Sequence, residues 1–513
     1  MTTRAGSVQC AGCGYAADPD DPYPFRCPRA GSDDTDHVMT RVLDVAGAVF
    51  PRGMLAGGVV SPDGVMSPHG VVSPDGGSGN PFLRYRVLLH PYHVAAAHGL
   101  SDEDYCELVS GLDSSVAEVD GHGFRVTPFF RSAELSSSLA FAGDGGVLVK
   151  NETGNVSGSH KGRHLMGVLI HLAVMERVGV LDPVDRRDLA IASCGNAALA
   201  AAVVARAGGW RLTVFVPPDA DKSVVRRLHE LQAGVVICPR EPGVAGDPAY
   251  LRLREELDRG ALPFTTQGNE NGLTIEGGET LGYELVSALQ AMPGGLDHLI
   301  IQVGGGALAS ACVQALREAN DLGALQRLPR IHTVQTMGAH PLERAYQRVR
   351  ALLPAEPDAD PVRADADPVR ADAGAVQADA DAVRADADAV RADAGAVRAD
   401  ADAVRAAMAD AAARRSAFMW PWEEEPKSVA TGILDDETYD WRAVVEGMLV
   451  TGGQPLVVSD DLLVEANSLA VAKTGILVDP TGSSGLAGLL ALRRSGVVAP
   501  HDRVAVLFTG IQR

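Results

Sequence analysis

The sequence has no excess of basic residues. Lys and Arg number 45 against 66 Asp and Glu, a formal net charge of −21 over 513 residues. Nucleic acid and anionic membrane both need a basic surface, so neither is an expected partner. Long apolar runs are missing too. Met1 to Gln9 lacks the apolar run of a signal peptide, and the most apolar helical stretch, 165–180, is broken by His171, Glu176 and Arg177. The expectation is a soluble, cytoplasmic protein. A disulfide framework is also lacking. The seven cysteines are odd in number, and Cys106, Cys194, Cys238 and Cys312 are dispersed through a long chain.

What is present suffices for two or three domains: the chain is long and 46% apolar. Two biased segments interrupt it. A six-residue unit recurs as Gly58-Val-Val-Ser-Pro-Asp, Gly64-Val-Met-Ser-Pro-His and Gly70-Val-Val-Ser-Pro-Asp. Proline and glycine in each unit forbid helix and favour turns, which predicts a flexible linker. Further on, within an insertion taken as 351–412, valine recurs with a period of seven at Val362, Val369, Val376, Val383, Val390, Val397 and Val404. One valine per heptad is too thin a stripe for a coiled coil, and Pro361, Pro368, Gly374 and Gly395 oppose helix. A solvated segment, disordered or partly helical, is expected there.

Between these segments apolar runs alternate with amphipathic ones. Strands are predicted at 189–193, 212–217, 235–238, 298–303 and 330–335, with helices over 196–207, 222–232, 249–258 and 308–319. After the insertion, 476–478 and 504–508 read as strands around a helix over 484–494. This alternation means a parallel α/β sheet covered on both faces, with ligands bound beyond the carboxyl ends of the strands.

The chemistry-bearing loops fall at such ends. Ser193-Cys194-Gly195-Asn196 opens a helix and its N–H groups suit a carboxylate, although Ser and Asn are also ordinary caps. Gly304-Gly305-Gly306-Ala307 either cradles a phosphate or is only a tight strand-to-helix turn. It matches neither a nucleotide P-loop nor a Gly-x-Gly-x-x-Gly fingerprint. Thr481, in Asp479-Pro480-Thr481-Gly482, offers a hydroxyl or merely completes a turn. Upstream, Gly158-Ser159-His160-Lys161-Gly162-Arg163 sets one lysine before an apolar helical run. At a helix N-terminus a lysine has a lowered pKa and can form a Schiff base; the bland alternative is a solvated surface lysine.

In this order the four segments resemble the tryptophan-synthase-β or threonine-synthase family of pyridoxal-phosphate enzymes, fold type II, over roughly residues 125–510 without the insertion. The resemblance implies two parallel-sheet α/β catalytic domains, built from 125–350 and 413–513. It implies a Schiff base on Lys161, Asn196 beside the pyridoxal oxygen, a phosphate cup of Gly304, Gly305, Gly306 and Ala307, and Thr481 at the pyridine nitrogen. Alanine replaces the usual fourth glycine. His160 either touches the cofactor phosphate or is structural. Ser193, Cys194 and Gly195 would hold the substrate carboxylate. The stretch from Gln267 to Thr280, with Glu284, also looks like this family. The implied reaction is elimination or replacement at an amino-acid side chain, of the threonine-synthase or serine/threonine-dehydratase kind, in a dimer; a catalytically silent amino-acid sensor is the alternative. No arginine stands between Asn271 and Thr280, and Ala197 follows Asn196, which weighs against a phosphorylated substrate.

Cys10, Cys13 and Cys27 suggest a zinc ribbon over 1–50, a module that some threonine-synthase-like enzymes carry, followed by a linker and extension over 51–124. The second Cys-x-x-Cys fails, since Ala30 follows Cys27-Pro28-Arg29, and His37 or an Asp is left as fourth ligand. A zinc site and a degenerate ribbon that binds nothing both stand.

Overall fold

The computed structural model describes residues 6–51, 79–240, 244, 246–354 and 400–513. The Gly/Pro repeat and most of the valine repeat lie outside the described residues. Strands β1 (Gly6–Cys10) and β2 (Met39–Leu43) form an antiparallel pair. Val-, Ile- and Leu-rich runs then build two larger sheets. One has six strands, ordered β11-β10-β9-β12-β4-β3: β3 Phe129–Ser132, β4 Gly146–Asn151, β9 His298–Gln302, β10 Arg330–Thr336, β11 Pro455–Val458 and β12 Arg503–Phe508. All its pairs are parallel except β3 with β4 at the edge, and Val504 lies opposite Val147. The other is wholly parallel, ordered β7-β6-β5-β8: β5 Leu189–Ala192, β6 Leu212–Val216, β7 Gly234–Ile237 and β8 Leu262–Pro263. Two parallel-sheet α/β bodies are what the family resemblance implies, where the alternation of runs alone reads as a single parallel sheet.

The helix Lys161–Arg177 is buried along most of its length and crosses the helix Leu273–Leu289. The crossing is close because both helices present glycine: a Cβ on Gly167 would lie 2.8 Å from Gly277 Cα. The extension before the sheets folds as well. The helix Asp102–Asp120 starts with a Ser101/Asp104 capping box and buries Tyr105, Val109 and Val116.

Two expectations are corrected. Residues 476–478 are not a strand: Val478 makes a single bridge to Ile511, and Leu477 is 59% exposed. After the left-handed Gly475 these residues meet the C-terminal segment only at the Val478–Ile511 bridge, and one bridge is not a ladder. The last valine of the repeat, Val404, is not solvated. It is buried in the helix Ala401–Ala413, where Ala407, Met408 and Ala411 widen the stripe that the repeat itself lacks, and this helix packs on Trp441–Thr451. No helix among the described residues is long and apolar enough to cross a membrane.

Candidate functional site

After β4 the chain turns sharply through Ser157 and Gly158, both at positive φ (58° and 68°). A Cβ on Gly158 would lie 2.5 Å from Ile511 Cγ2, so only glycine fits where this turn meets the exit from β12. Ser159 bridges Gly510, and the His160 amide donates to Thr509 O at 3.2 Å. Lys161 is thereby the first residue of its helix. Its ammonium donates to Thr266 Oγ1 at 3.4 Å, in the loop after β8. Burial lowers the Lys161 pKa, with Asp435 and Asp440 opposing the shift.

A buried ion network fixes the start of this helix. Arg163 donates to Glu152 at 2.8 and 3.1 Å, to Glu284 at 2.7 Å and to Thr280 at 3.1 Å. Lys150 donates to Glu284 and, at 2.9 Å, to Thr127 O. Arg163 and Glu284 carry the family resemblance in sequence; the structure gives them a positioning role.

The glycine turn follows β9 and opens the helix Ala307–Asp321, with Gly306 at φ 98°. A Cβ on Gly304 would collide with Asp435 Oδ2, and one on Gly305 would lie 2.9 Å from Tyr439 Cδ2. The turn therefore presents backbone to a crowded cleft. Thr481 joins it from the other side: its hydroxyl oxygen accepts the Gly432 amide at 3.0 Å, which leaves its own O–H to donate elsewhere. A Cβ on Gly510 would lie 2.7 Å from Asn196 Nδ2 and 2.9 Å from Asp479 Oδ2. The Arg513 guanidinium donates to Asn196 Oδ1. Asn196 is the first helical residue and Gly195 the cap; Cys194 is exposed, and the Gly195 amide lies 3.5 Å from Ser193 Oγ.

Contacts link Thr266 to Lys161, Asp435 to the glycine turn and Gly432 to Thr481, Lys161 and Asp435 attract one another, and Asn196 adjoins Gly510. All flank the carboxyl ends of β4, β5, β8, β9 and β12. Sequence reasoning missed Thr266, Asp435 and Asp440. No motif marks them, and Asp435 and Asp440 lie in an acid-rich stretch where a carboxylate reads as solvated.

These residues fit pyridoxal phosphate. The turn carries no side chain of its own, with the Asp435 carboxylate standing on its Gly305 amide, and the buried Ser159 Oγ and His160 Nε2, beside Lys161, have no hydrogen-bond partner among the described residues. Burial holds the His160 imidazole neutral, its pKa well below the ordinary value.

In the N-terminal module the ligand atoms of Cys10, Cys13, Cys27 and His37 all lie within 4.8 Å of one another. His37 Nε2 is 3.0 Å from Asp33 Oδ1, and Nδ1 faces Cys10 Sγ at 3.5 Å. Three thiols and an imidazole oriented by a carboxylate are a donor set suited to zinc.

A family model described as pyridoxal-phosphate dependent enzyme matches residues 122–423. The threonine synthase of Methanocaldococcus jannaschii is 22% identical over 385 residues, 75% of this chain and 74% of that protein. A serine dehydratase-like protein of Rattus norvegicus is 32% identical over 222 residues, 42% of this chain and 60% of that protein. Among solved structures, the diaminopropionate ammonia lyase of Escherichia coli shares the fold with a TM-score of 0.52 and 14% identity, over 80% of this chain and 89% of that one. With more than half of its length matched by the family model, this chain belongs to the pyridoxal-phosphate dependent enzyme family.

Proposed function

We propose that this enzyme eliminates or replaces a group on the side chain of an amino acid, with Lys161 as the catalytic residue. The observation that supports this reading is that Lys161, the glycine turn and Asn196 each open a helix after a parallel strand, with Thr481 beside Gly432 at the same strand ends. Gly304, Gly305, Gly306 and Ala307 would hold the cofactor phosphate, with His160 and Ser159 beside it. Bound pyridoxal phosphate supplies an electron sink at the substrate Cα. Lys161 holds the proton taken from Cα, and its lowered pKa favours the free amine that this needs. The amides of Ser193, Cys194 and Gly195 would hold the substrate carboxylate, and Asn196 would orient the ring. Thr481 would offer its hydroxyl to the pyridine nitrogen, a neutral donor where a carboxylate would hold a proton on the ring. Such a neutral partner would favour loss of a leaving group over transamination. The relatives, a threonine synthase and a serine dehydratase-like protein, support the same class.

The reading further places zinc on Cys10, Cys13, Cys27 and His37, and, from the family resemblance, expects a cytoplasmic homodimer. Purified protein supplemented with pyridoxal phosphate is expected to show a near-visible absorbance band, and borohydride to fix a cofactor adduct on Lys161 seen by mass spectrometry. Lys161→Ala should lose that adduct. A panel of serine, threonine and their O-activated derivatives, followed by keto-acid, ammonia and phosphate release, tests the reaction. Colourless protein with no adduct overturns the proposal, and elemental analysis of the same preparation tests the zinc.

A further inference from the structure

The N-terminal module touches both walls of the Lys161 cleft. One wall is the loop after β8, where Thr266 meets Lys161. The other is the segment leading into the helix Trp441–Thr451, which lies on the glycine turn. From it Thr438 Oγ1 donates to Gly304 O and the Asp440 amide to Gly305 O, both at 3.0 Å. The walls meet where the Asp440 carboxylate accepts the Gly268 amide.

The module grips each wall just beyond this meeting point. On the first, Phe25 O accepts the Gly272 amide at 2.8 Å, and Arg26 lies 3.7 Å from Glu270. A Cβ on Gly272 would collide with Met39 O, so the two backbones are in direct contact. On the second, Asp36 donates its amide to Ala412 O at 2.8 Å. Its carboxylate lies 3.3 Å from Arg415 and 3.9 Å from Arg442, two residues past Asp440. Asp36 is buried, and a Cβ on Gly12 would collide with its carbonyl oxygen. The Cys10–Cys13 turn therefore rests directly on Asp36.

Little besides a metal can hold this stretch in shape. Residues 11–38 are turns and bends, and the only ladder in the module is the five-residue pairing of β1 with β2. A lone two-stranded hairpin is marginal in water. The four clustered ligand atoms tie the Cys10–Cys13 turn to Cys27 and His37, and metal binding at such a set is folding free energy. Phe25 stands two residues before Cys27 and Asp36 one before His37, so whatever fixes the ligands fixes both grips.

We propose that the metal module positions the cofactor cleft: zinc on Cys10, Cys13, Cys27 and His37 fixes Phe25 and Asp36, which hold the two walls together around Lys161. This rests on the reading above that pyridoxal phosphate is seated at Lys161 and the glycine turn. Asp36 is a positioning residue and touches neither cofactor nor substrate. When the walls part, fewer molecules have a competent cleft, and the apparent dissociation constant of the cofactor rises in proportion.

The test uses the full-length protein, loaded with zinc, stripped by a chelator, and reloaded. Pyridoxal phosphate is titrated by its near-visible band, and amide hydrogen exchange is followed by mass spectrometry. Stripping should raise the cofactor dissociation constant at least about tenfold, and reloading should restore it. Exchange should quicken at 264–272 and 430–442 and stay unchanged in β6, which the module does not touch. Asp36→Ala, which keeps all four ligands, should still bind zinc yet raise the constant at least about threefold. It decides the matter if stripping unfolds the chain. A module with a merely structural role would lower Tm and leave cofactor affinity and wall exchange in the folded protein as they were. That result, or protein that takes up no zinc, overturns the inference and leaves the elimination reading standing. Unchanged affinity in Asp36→Ala overturns the role of Asp36. Zinc-loaded protein with neither band nor borohydride adduct sinks the elimination reading and this inference together.

Discussion

Two buried ion clusters hang on the same helix, Leu273–Leu289, and they balance charge differently. Toward one side, Glu284 joins Glu152 against Arg163 and Lys150, two acids facing two bases. Toward the other, Glu276 and Glu279 join Glu318 around Arg41, which reaches in from β2 of the N-terminal module. There three acids share one base among the described residues. Burial raises Glu152 but Arg163 and Lys150 overrule it and hold its carboxyl down at about 2. Burial pushes Glu276 up to about 8 and Glu279 to about 7, because Arg41 cannot neutralise them all. The balanced cluster fixes the start of the Lys161–Arg177 helix with its charges intact. The unbalanced one attaches the module by keeping protons in the interior, and the Lys161 cleft, with two acids to one base, resembles it more than the first.

The largest effect is expected from breaking the balanced cluster. Arg163→Met strands Glu152 and Glu284 against Lys150 alone and should cost about 3–5 kcal/mol, as removal of one partner from a buried pair generally does. Arg41→Met should cost less, because Glu276 and Glu279, which burial keeps protonated, do not become bare charges. Urea denaturation of both variants checks the order, and a costlier Arg41→Met would refute the distinction.

A second, smaller contrast is in pH. The folded pKa of Glu152 is below its ordinary value of 4.5, so its contribution to stability is present above that value and lost as pH falls toward 2. Glu276 and Glu279 have raised folded values. Between 4.5 and 8 the native state binds more protons than the unfolded chain, and stability falls as pH rises through that window. Glu276→Gln should flatten the alkaline decline in Tm and leave the acid limb unchanged. A variant that parallels the wild type from pH 5 to about 9 would show that Glu276 titrates normally.

How much of this was legible in sequence depends on the range of the interaction. The alternation of apolar runs and caps is local, and strands such as β6 and helices such as Asn196–Ala207 fall where it places them. Lys161, Asn196, Thr481 and the glycine turn are legible because each needs a particular backbone at a strand end. Asp435, Asp440 and Arg41 are not. Their neighbours are far along the chain, and a charged residue in a polar stretch carries no sign that another segment will bury it. Strand β3 escaped because only four residues, Phe129–Ser132, pair at an edge with little pattern to read. The residues 476–478 misled for the opposite reason, being locally apolar without a partner to pair along their length.

An exposed pair supplies the control that isolates burial from charge. Arg252 and Glu255 lie one turn apart on the helix Pro248–Asp258, with side chains 44% and 51% exposed. Water and salt screen them as they do not screen Arg163 and Glu284. Arg252→Ala should therefore change stability by less than about 0.5 kcal/mol, and that small change should fade in high salt. If it instead approached the loss in Arg163→Met, the special standing given to buried, balanced charge on the Leu273–Leu289 helix would have no basis, since the same two chemical groups would be worth the same in water as in the core.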